Sequence, residues 1–231
     1  MESPILQGKV KSVYDVSGEA DKVTIVFHDK VTAWNGKAVE YPPEKGKVCC
    51  LISALLFEKL EKLGVRTHYL GTKGLDTLVC RKLTIVPVEV IVRNIAAGSI
   101  VKTTTLTEGT LIQPPIVEYF LKDDAKDDPL LTHDRVRLMG IDPEPLKVQA
   151  LEINYQLQSL FTLMGMDLVD FKLEFGYDCN DNIILADELS PDGMRLWKGN
   201  KSFDKDLFRK GEGDIVEAYK YILQHLRQFA C

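Results

Sequence analysis

Val169-Asp170-Phe171-Lys172-Leu173-Glu174-Phe175-Gly176 decides the fold, together with Ile183-Ile184-Leu185-Ala186-Asp187-Glu188-Leu189, which follows the turn residues Asp178-Cys179-Asn180-Asp181-Asn182. In the first run Val169, Phe171, Leu173 and Phe175 share one face while Asp170, Lys172 and Glu174 share the other, the period-two pattern of a strand. The Asp- and Asn-rich joint predicts that the two runs pair as an antiparallel hairpin. A four-residue loop at 179–182 sets Glu174 directly opposite Asp187. Facing carboxylates repel across a sheet. A divalent cation reverses that sign, and carboxylate plus phosphate oxygens are the ligands magnesium prefers. A solvated outer face on which Lys172 neutralises its neighbours explains the same alternation, so both readings stand at this level.

The flanking text carries more polar residues on strand-like patterns. Ser190-Pro191-Asp192-Gly193-Met194-Arg195-Leu196-Trp197 leaves the hairpin through Ser-Pro and Asp-Gly turn chemistry, which sets Asp192 and Arg195 on a loop beyond the acidic pair. An arginine there is able to fork onto a phosphate or carboxylate, or simply to lie exposed on a turn. Upstream, Val86, Val88, Val90 and Val92 share a face and Glu89, Ile91 and Arg93 the other, ahead of Ala96-Ala97-Gly98-Ser99. Small residues let backbone amides and a hydroxyl approach an anion; a Glu89–Arg93 pair beside a tight turn is the competing account. Gly8-Lys9-Val10-Lys11-Ser12-Val13-Tyr14 places Lys9 and Lys11 on one strand face. Such a glycine-bearing hairpin can cover a nucleotide's phosphates, although lysine also guards an edge strand against aggregation.

The remaining chain frames these stretches. Gly8–Val16 and Val23–His28 form a front hairpin across Ser17–Asp21, and Leu51–Leu63 is an amphipathic helix stopped by Gly64. Strands Thr77–Leu83 and Ile85–Arg93 follow, giving a β-β-α-β-β start that is antiparallel in character. Pro114–Pro145 is Pro- and Asp-rich and reads as a long surface segment. Asp142 caps a helix with Pro143 in its first turn and apolar residues at 146, 150, 153, 157, 160 and 164; a last helix spans Asp214–Phe229. The expectation is an α+β protein of two lobes, residues 1–85 and 86–231, with the break near 84–88.

The chain has 231 residues, 45% hydrophobic and 27% charged, with a formal charge of −5. The hydrophobic share excludes a disordered chain, and the acidic balance removes the electrostatic case for nucleic acid or an anionic membrane as partner. Five cysteines (Cys49, Cys50, Cys80, Cys179, Cys231) without a C-x-x-C form neither a disulfide framework nor a zinc knuckle. The N-terminus has no signal-peptide pattern and the apolar runs are strand-length, so the cytoplasm is the expected location. P-loop and dinucleotide fingerprints are absent, the four histidines lack ligand spacing, and no nucleophile–base pairing stands out.

Taken together, Gly8–Lys11, Pro87–Ser99, Asp170–Gly176 and Ser190–Trp197 resemble the SAICAR synthetase family of purine biosynthesis, in order and over essentially the whole chain. The resemblance implies a β-rich N-terminal lobe and a larger α+β C-terminal lobe, with the ATP site in the cleft between them. It implies an ATP- and magnesium-dependent carbon–nitrogen ligase that joins L-aspartate to the carboxylate of carboxyaminoimidazole ribonucleotide (CAIR), releasing ADP and phosphate through an acyl phosphate. Lys9, Val10 and Lys11 would cover the ATP phosphates, Val13 and Val23 would wall the adenine, and the backbone at Arg81, Lys82 and Leu83 would pair with its edge. Glu174 and Asp187 would hold Mg2+, with Asp170 joining a second metal site. Arg93, Ser99 and Arg195 would grip the ribotide phosphate, while Lys172 and Asp192 would act at the reacting group of CAIR. Lys122–Asp128 and Arg209 are candidates for the aspartate subsite, and bacterial members imply a homodimer. Trp34-Asn35-Gly36 departs from the Phe-Asp-Gly or Phe-Asn-Gly of many members, which leaves the roles of Asn35 and Lys37 open. A kinase-like phosphotransferase lacks support because no H-R-D loop or D-F-G triplet is present. In a non-catalytic nucleotide-binding module the Glu174/Asp187 pair would be dispensable.

Overall fold

Two antiparallel sheets face each other in the computed structural model, which describes residues 3–34 and 36–229; Asn35 and Cys231 lie outside the described residues. The first sheet has the order β1-β2-β3-β7-β6. It comprises β1 (Leu6–Gln7), β2 (Lys11–Val16), β3 (Glu19–Phe27), β6 (Tyr69–Thr72) and β7 (Thr77–Arg81). A small ribbon, β4 (Val31–Ala33) with β5 (Ala38–Glu40), and the helix α1 (Lys45–Lys62) intervene. The front hairpin forms as expected, with Val13 opposite Ile25 and Lys11 opposite Phe27, but β3 begins at Glu19 rather than Val23, inside the predicted turn.

Helix α1 begins six residues earlier than its apolar period suggests, at Lys45 rather than Leu51. The reason lies outside the helix. Asp29 accepts the Gly46 amide at 2.8 Å and the Glu44 amide at 2.9 Å, so a side chain from another segment satisfies the exposed donors of the first turn. Gly46 is needed for this approach, because a Cβ there would stand 2.8 Å from the His28 backbone.

The second sheet has the order β10-β9-β8-β11-β13-β14, with β12 also paired to β11. It is built from β8 (Thr84–Ile95), β9 (Leu111–Leu121), β10 (Leu130–Leu131), β11 (Asp167–Tyr177), β12 (Ile183–Ala186), β13 (Met194–Lys198) and β14 (Lys201–Ser202). The reading of 114–145 as surface segment is thus corrected: it holds most of β9, then β10 and the helix α3 (His133–Leu138). Pro114 and Pro115 hid the strand, since proline cannot donate to a ladder. They sit where the pairing of β8 with β9 slips, between Arg93↔Ile116 and Ile95↔Leu111.

Helix α4 (Pro143–Leu163) starts as predicted, with the Asp142 carboxylate accepting the Glu144 amide at 3.1 Å. Its buried Leu146, Ala150, Ile153, Leu157 and Leu160 cover the apolar face of the second sheet, where Val88, Val90, Val92, Leu173 and Phe175 are fully buried. The opposite face, bearing Glu89, Arg93, Asp170, Lys172 and Glu174, turns toward the first sheet. Helix α6 (Ile215–Gln228), capped by Asp214, returns from the C-terminal end to pack on α1. The sheets also meet directly where Thr67 bridges Leu185 and the His68 amide donates to the Leu185 carbonyl at 2.9 Å.

Burial pushes the His68 imidazole down to about 4, against the pull of Asp187 and with help from Lys11 and Arg81. The folded protein keeps this ring neutral, whereas the unfolded chain protonates it below about 6.5. Stability is therefore expected to fall as pH drops from about 6.5 toward 4, by about 2 kcal/mol at pH 5 from this group. Between pH 7.5 and pH 5 the His68→Asn variant should lose less Tm than its parent; equal losses would contradict this.

Candidate active site between the two sheets

A cavity of about 680 Å³ lies between the sheets. Its roof is the start of β2, with Gly8, Lys9, Val10, Lys11 and Val13, and its floor is the polar face of β8 and β11. Directly paired residues share a sheet face. The ladder sets Asp170 beside Arg93, Lys172 beside Ile91 and Glu174 beside Glu89, which brings one face of both strands into the cavity. The solvated-face reading of β11 is thereby overturned: Asp170 and Glu174 are 4% and 3% exposed.

The β11–β12 hairpin corrects the predicted register by one residue. Glu174 pairs with Ala186, not Asp187, because the loop spans 178–182 and is held by the Asp178 carboxylate on the Asn180 and Asn182 amides. A one-residue slip ordinarily sends a side chain to the other face. Asp187 escapes this because it leaves the strand with φ 63°, which breaks the alternation and returns its carboxylate to the side of Glu174. Lys11 reaches both halves, pairing with Asp187 at 2.6 Å and Glu188 at 2.8 Å within the field of Glu174. Lys172 bridges Glu89 at 2.8 Å and Glu174 at 3.0 Å, and Lys122 also pairs with Glu174. Burial works against the charge on Lys11 and Lys172, but the acids overcome it and hold both ammonium groups above their ordinary range. Burial likewise opposes ionisation of Asp187, and Lys11, Lys172 and Lys122 together hold it well below the usual carboxylate range.

A second cluster occupies the other end of β11. Arg93, 2% exposed, donates to Asp170 at 3.0 Å, to Ser99 Oγ at 2.7 Å and to Glu118. Arg195 donates to both Asp170 oxygens at 3.0 and 2.7 Å and to Asp206 at 2.9 Å. Burial raises the Asp170 pKa even against these two guanidinium groups. The Gly98 turn, with φ 66°, serves this cluster: a Cβ there would lie 2.5 Å from the Arg195 guanidinium, so the small residues admit an arginine. Asp170 and Glu174 are four residues apart on one strand, about 13 Å. The carboxylate of Asp170 is held here by Arg93 and Arg195, apart from Glu174 and Asp187.

Asp192 stands between the clusters. Lys45, 1% exposed at the start of α1, forms an ion pair with it, and Tyr219 of α6 donates to it at 2.9 Å. Burial opposes the charge of Asp192, and Lys45 and Lys205 outweigh it, keeping the group ionised. Sequence reasoning missed Lys45, which lies ahead of the predicted helix start at Leu51; it also missed Glu118, Glu188 and Lys205. Val23 shares its sheet face with Val13 and Lys11 but is buried in the core beyond the cavity lining. Arg81, Lys82 and Leu83 are also outside the lining; the Arg81 and Lys82 amides already donate to His68 and Asp21, at 2.7 Å each.

The fit of a divalent cation turns on the donor set. Glu89, Glu174, Asp187 and Glu188 face Lys11, Lys122 and Lys172, an excess of hard anionic oxygens near the roof lysines. Among the described residues no three His, Cys, Asp or Glu side chains are arranged to hold a metal by themselves. Two carboxylates completed by phosphate and water oxygens suit magnesium, which keeps much of its hydration.

A deep cleft with lysines over acids at one end and a guanidinium pair at the other defines a protein built for polyanionic small molecules. The SAICAR synthetase family model matches residues 4–226, and the chain belongs to that family. It is 42% identical to the phosphoribosylaminoimidazole-succinocarboxamide synthase of Prochlorococcus marinus, covering 97% of each chain. With the Bacillus cereus enzyme of the same name it shares 42% identity over 96% of this chain and 95% of that one. Among solved structures, a SAICAR synthetase in complex with ADP superposes with a TM-score of 0.92 at 38% identity, covering 96% of each chain. The phosphoribosylaminoimidazole-succinocarboxamide synthase of Ehrlichia chaffeensis gives 0.94 at 35%, covering 97% of this chain and 98% of that one.

Proposed function

We propose that the cleft performs ATP-dependent ligation of L-aspartate to the carboxylate of CAIR, with Mg2+, as an enzyme of purine biosynthesis working in the cytoplasm as a homodimer. The observation that carries this reading is the pairing of two charge clusters on one face of β11, at the spacing of a polyphosphate and a second anion, within a chain of this family. No helix among the described residues is long and apolar enough to cross a membrane.

In this reading residues 1–85 form the ATP-covering lobe and 86–231 carry the ribotide and metal sites. Lys9 and Lys11 exchange their acidic partners for ATP phosphates, Val10 covers the phosphates between them, and Val13 lies along the nucleotide. Val23 and the Arg81–Leu83 segment would serve the adenine only from behind the present cavity wall. Mg2+ on Glu174 and Asp187 would neutralise phosphate charge. Arg93, Ser99 and Arg195 hold the ribotide phosphate, with Asp170 aligning the two guanidinium groups.

A carboxylate is a poor electrophile, so its oxygen first attacks the γ-phosphorus and ADP leaves. The aspartate amine then attacks the acyl carbon, loses a proton, and phosphate departs. Lys172 neutralises charge at the acceptor carboxylate and Asp192 lies near the reacting group; no enzyme nucleophile is needed. Incubation with ATP, Mg2+, CAIR and L-aspartate, followed by mass spectrometry, should yield one product weighing CAIR plus aspartate minus water. A phosphorylated ribotide accumulating as the only product would favour a phosphotransferase instead. Positional isotope exchange in ATP, dependent on CAIR, tests the acyl phosphate.

A further inference from the structure

One cation in the cavity stands apart from the rest. Every other lysine and arginine of the lining has a carboxylate within ion-pair reach, whereas the Lys205 ammonium, among the described residues, has neither an ion pair nor a hydrogen bond. The acids around it are all engaged. Asp204 accepts the Leu196 and Asp206 amides at 2.9 and 2.7 Å, Asp206 holds Arg195 and Arg209, and Asp192 holds Lys45 and Tyr219. Burial lowers the Lys205 pKa; Arg209 and Lys45 push in the same direction, and only partial compensation comes from Asp192 and Glu188. An ammonium drawn from water without a counter-ion is unfavourable, so the position is set to gain from an incoming anion.

The inference rests on the proposed ligation, which brings a triphosphate, a ribotide phosphate and three carboxylates into the cleft. The roof lysines serve the first, and Arg93, Ser99 and Arg195 the second. Lys205 flanks Asp192, where that reading puts the reacting acceptor, and Arg209 of α5 (Asp206–Lys210) lies beside it. We propose that Lys205 receives a carboxylate of L-aspartate, with Arg209 as the neighbouring cation, so that the amine faces the acyl carbon.

The test is steady-state kinetics of Lys205→Ala and Lys205→Arg beside the parent. Losing a charge-assisted hydrogen bond should raise the KM for L-aspartate about 10- to 100-fold in Lys205→Ala. The KM values for ATP and CAIR should stay near those of the parent, and Lys205→Arg should restore part of the loss. Because the Lys205 ammonium makes no ion pair or hydrogen bond in the fold and Lys45 still pairs with Asp192, Tm should change little. An unchanged aspartate KM, or a rise confined to the CAIR KM, overturns the assignment. If Lys205→Ala is inactive, calorimetric titration of L-aspartate into enzyme holding CAIR and a non-hydrolysable ATP analogue decides: lost binding supports the subsite, and parent-like binding overturns it. A parent enzyme with no aspartate-dependent ADP release would instead refute the ligation reading beneath it.

Discussion

Asp187→Asn is expected to lower aspartate-dependent turnover by about 10²- to 10³-fold while leaving the fold intact, the scale of losing one preorganised electrostatic contact at a site of developing charge. The substitution isolates charge from shape. Asp187 has φ 63°, a conformation that asparagine tolerates nearly as well as aspartate, so the hairpin exit and the bond from its carbonyl to His68 at 3.0 Å should persist. What disappears is the anion that holds Lys11 and, in the proposed mechanism, a metal ligand. A raised requirement for Mg2+ should accompany the lower kcat. Near-normal turnover with an unchanged Mg2+ requirement would remove Asp187 from the metal site.

Lys45→Met carries the largest expected cost in stability. It strands the buried carboxylate of Asp192, and breaking one side of such a pair costs about 3–5 kcal/mol. For a chain of this length that corresponds to a Tm loss of about 6–20 °C. Adding Asp192→Asn removes the stranded charge and should recover most of the loss, because replacing both partners is far cheaper than removing one. Activity should not recover, since Asp192 is assigned to the reacting end of CAIR. Additive losses in the double variant would mean that Lys45 stabilises α1 independently of Asp192.

The polar faces of β8 and β11 were legible in the sequence because strand alternation separates them cleanly from the valines and phenylalanines that α4 buries. The arginine cluster was half legible. Arg93, Ser99 and Arg195 stand out by their motifs, but the contact of Asp170 with both arginines does not. Only the ladder register shows that Asp170 faces Arg93 rather than standing with Glu174 and Asp187. The register that set Glu174 opposite Asp187 is off by one residue, because the loop is one residue longer than assumed; a left-handed Asp187 nevertheless lines the same cavity as Glu174. Lys45 was invisible because its burial depends on Asp29 capping a helix from outside and on α6 folding back across α1. Contacts made between segments far apart in the chain leave no local period to read.

The central claim is that this cleft couples ATP cleavage to amide formation. Its most direct test is ADP release with ATP, Mg2+ and CAIR, measured with and without L-aspartate. The account predicts sustained release only when aspartate is present, with one ADP per amide formed. Release at the same rate without aspartate, or release that tracks phosphate transfer to a hydroxyl, would contradict it.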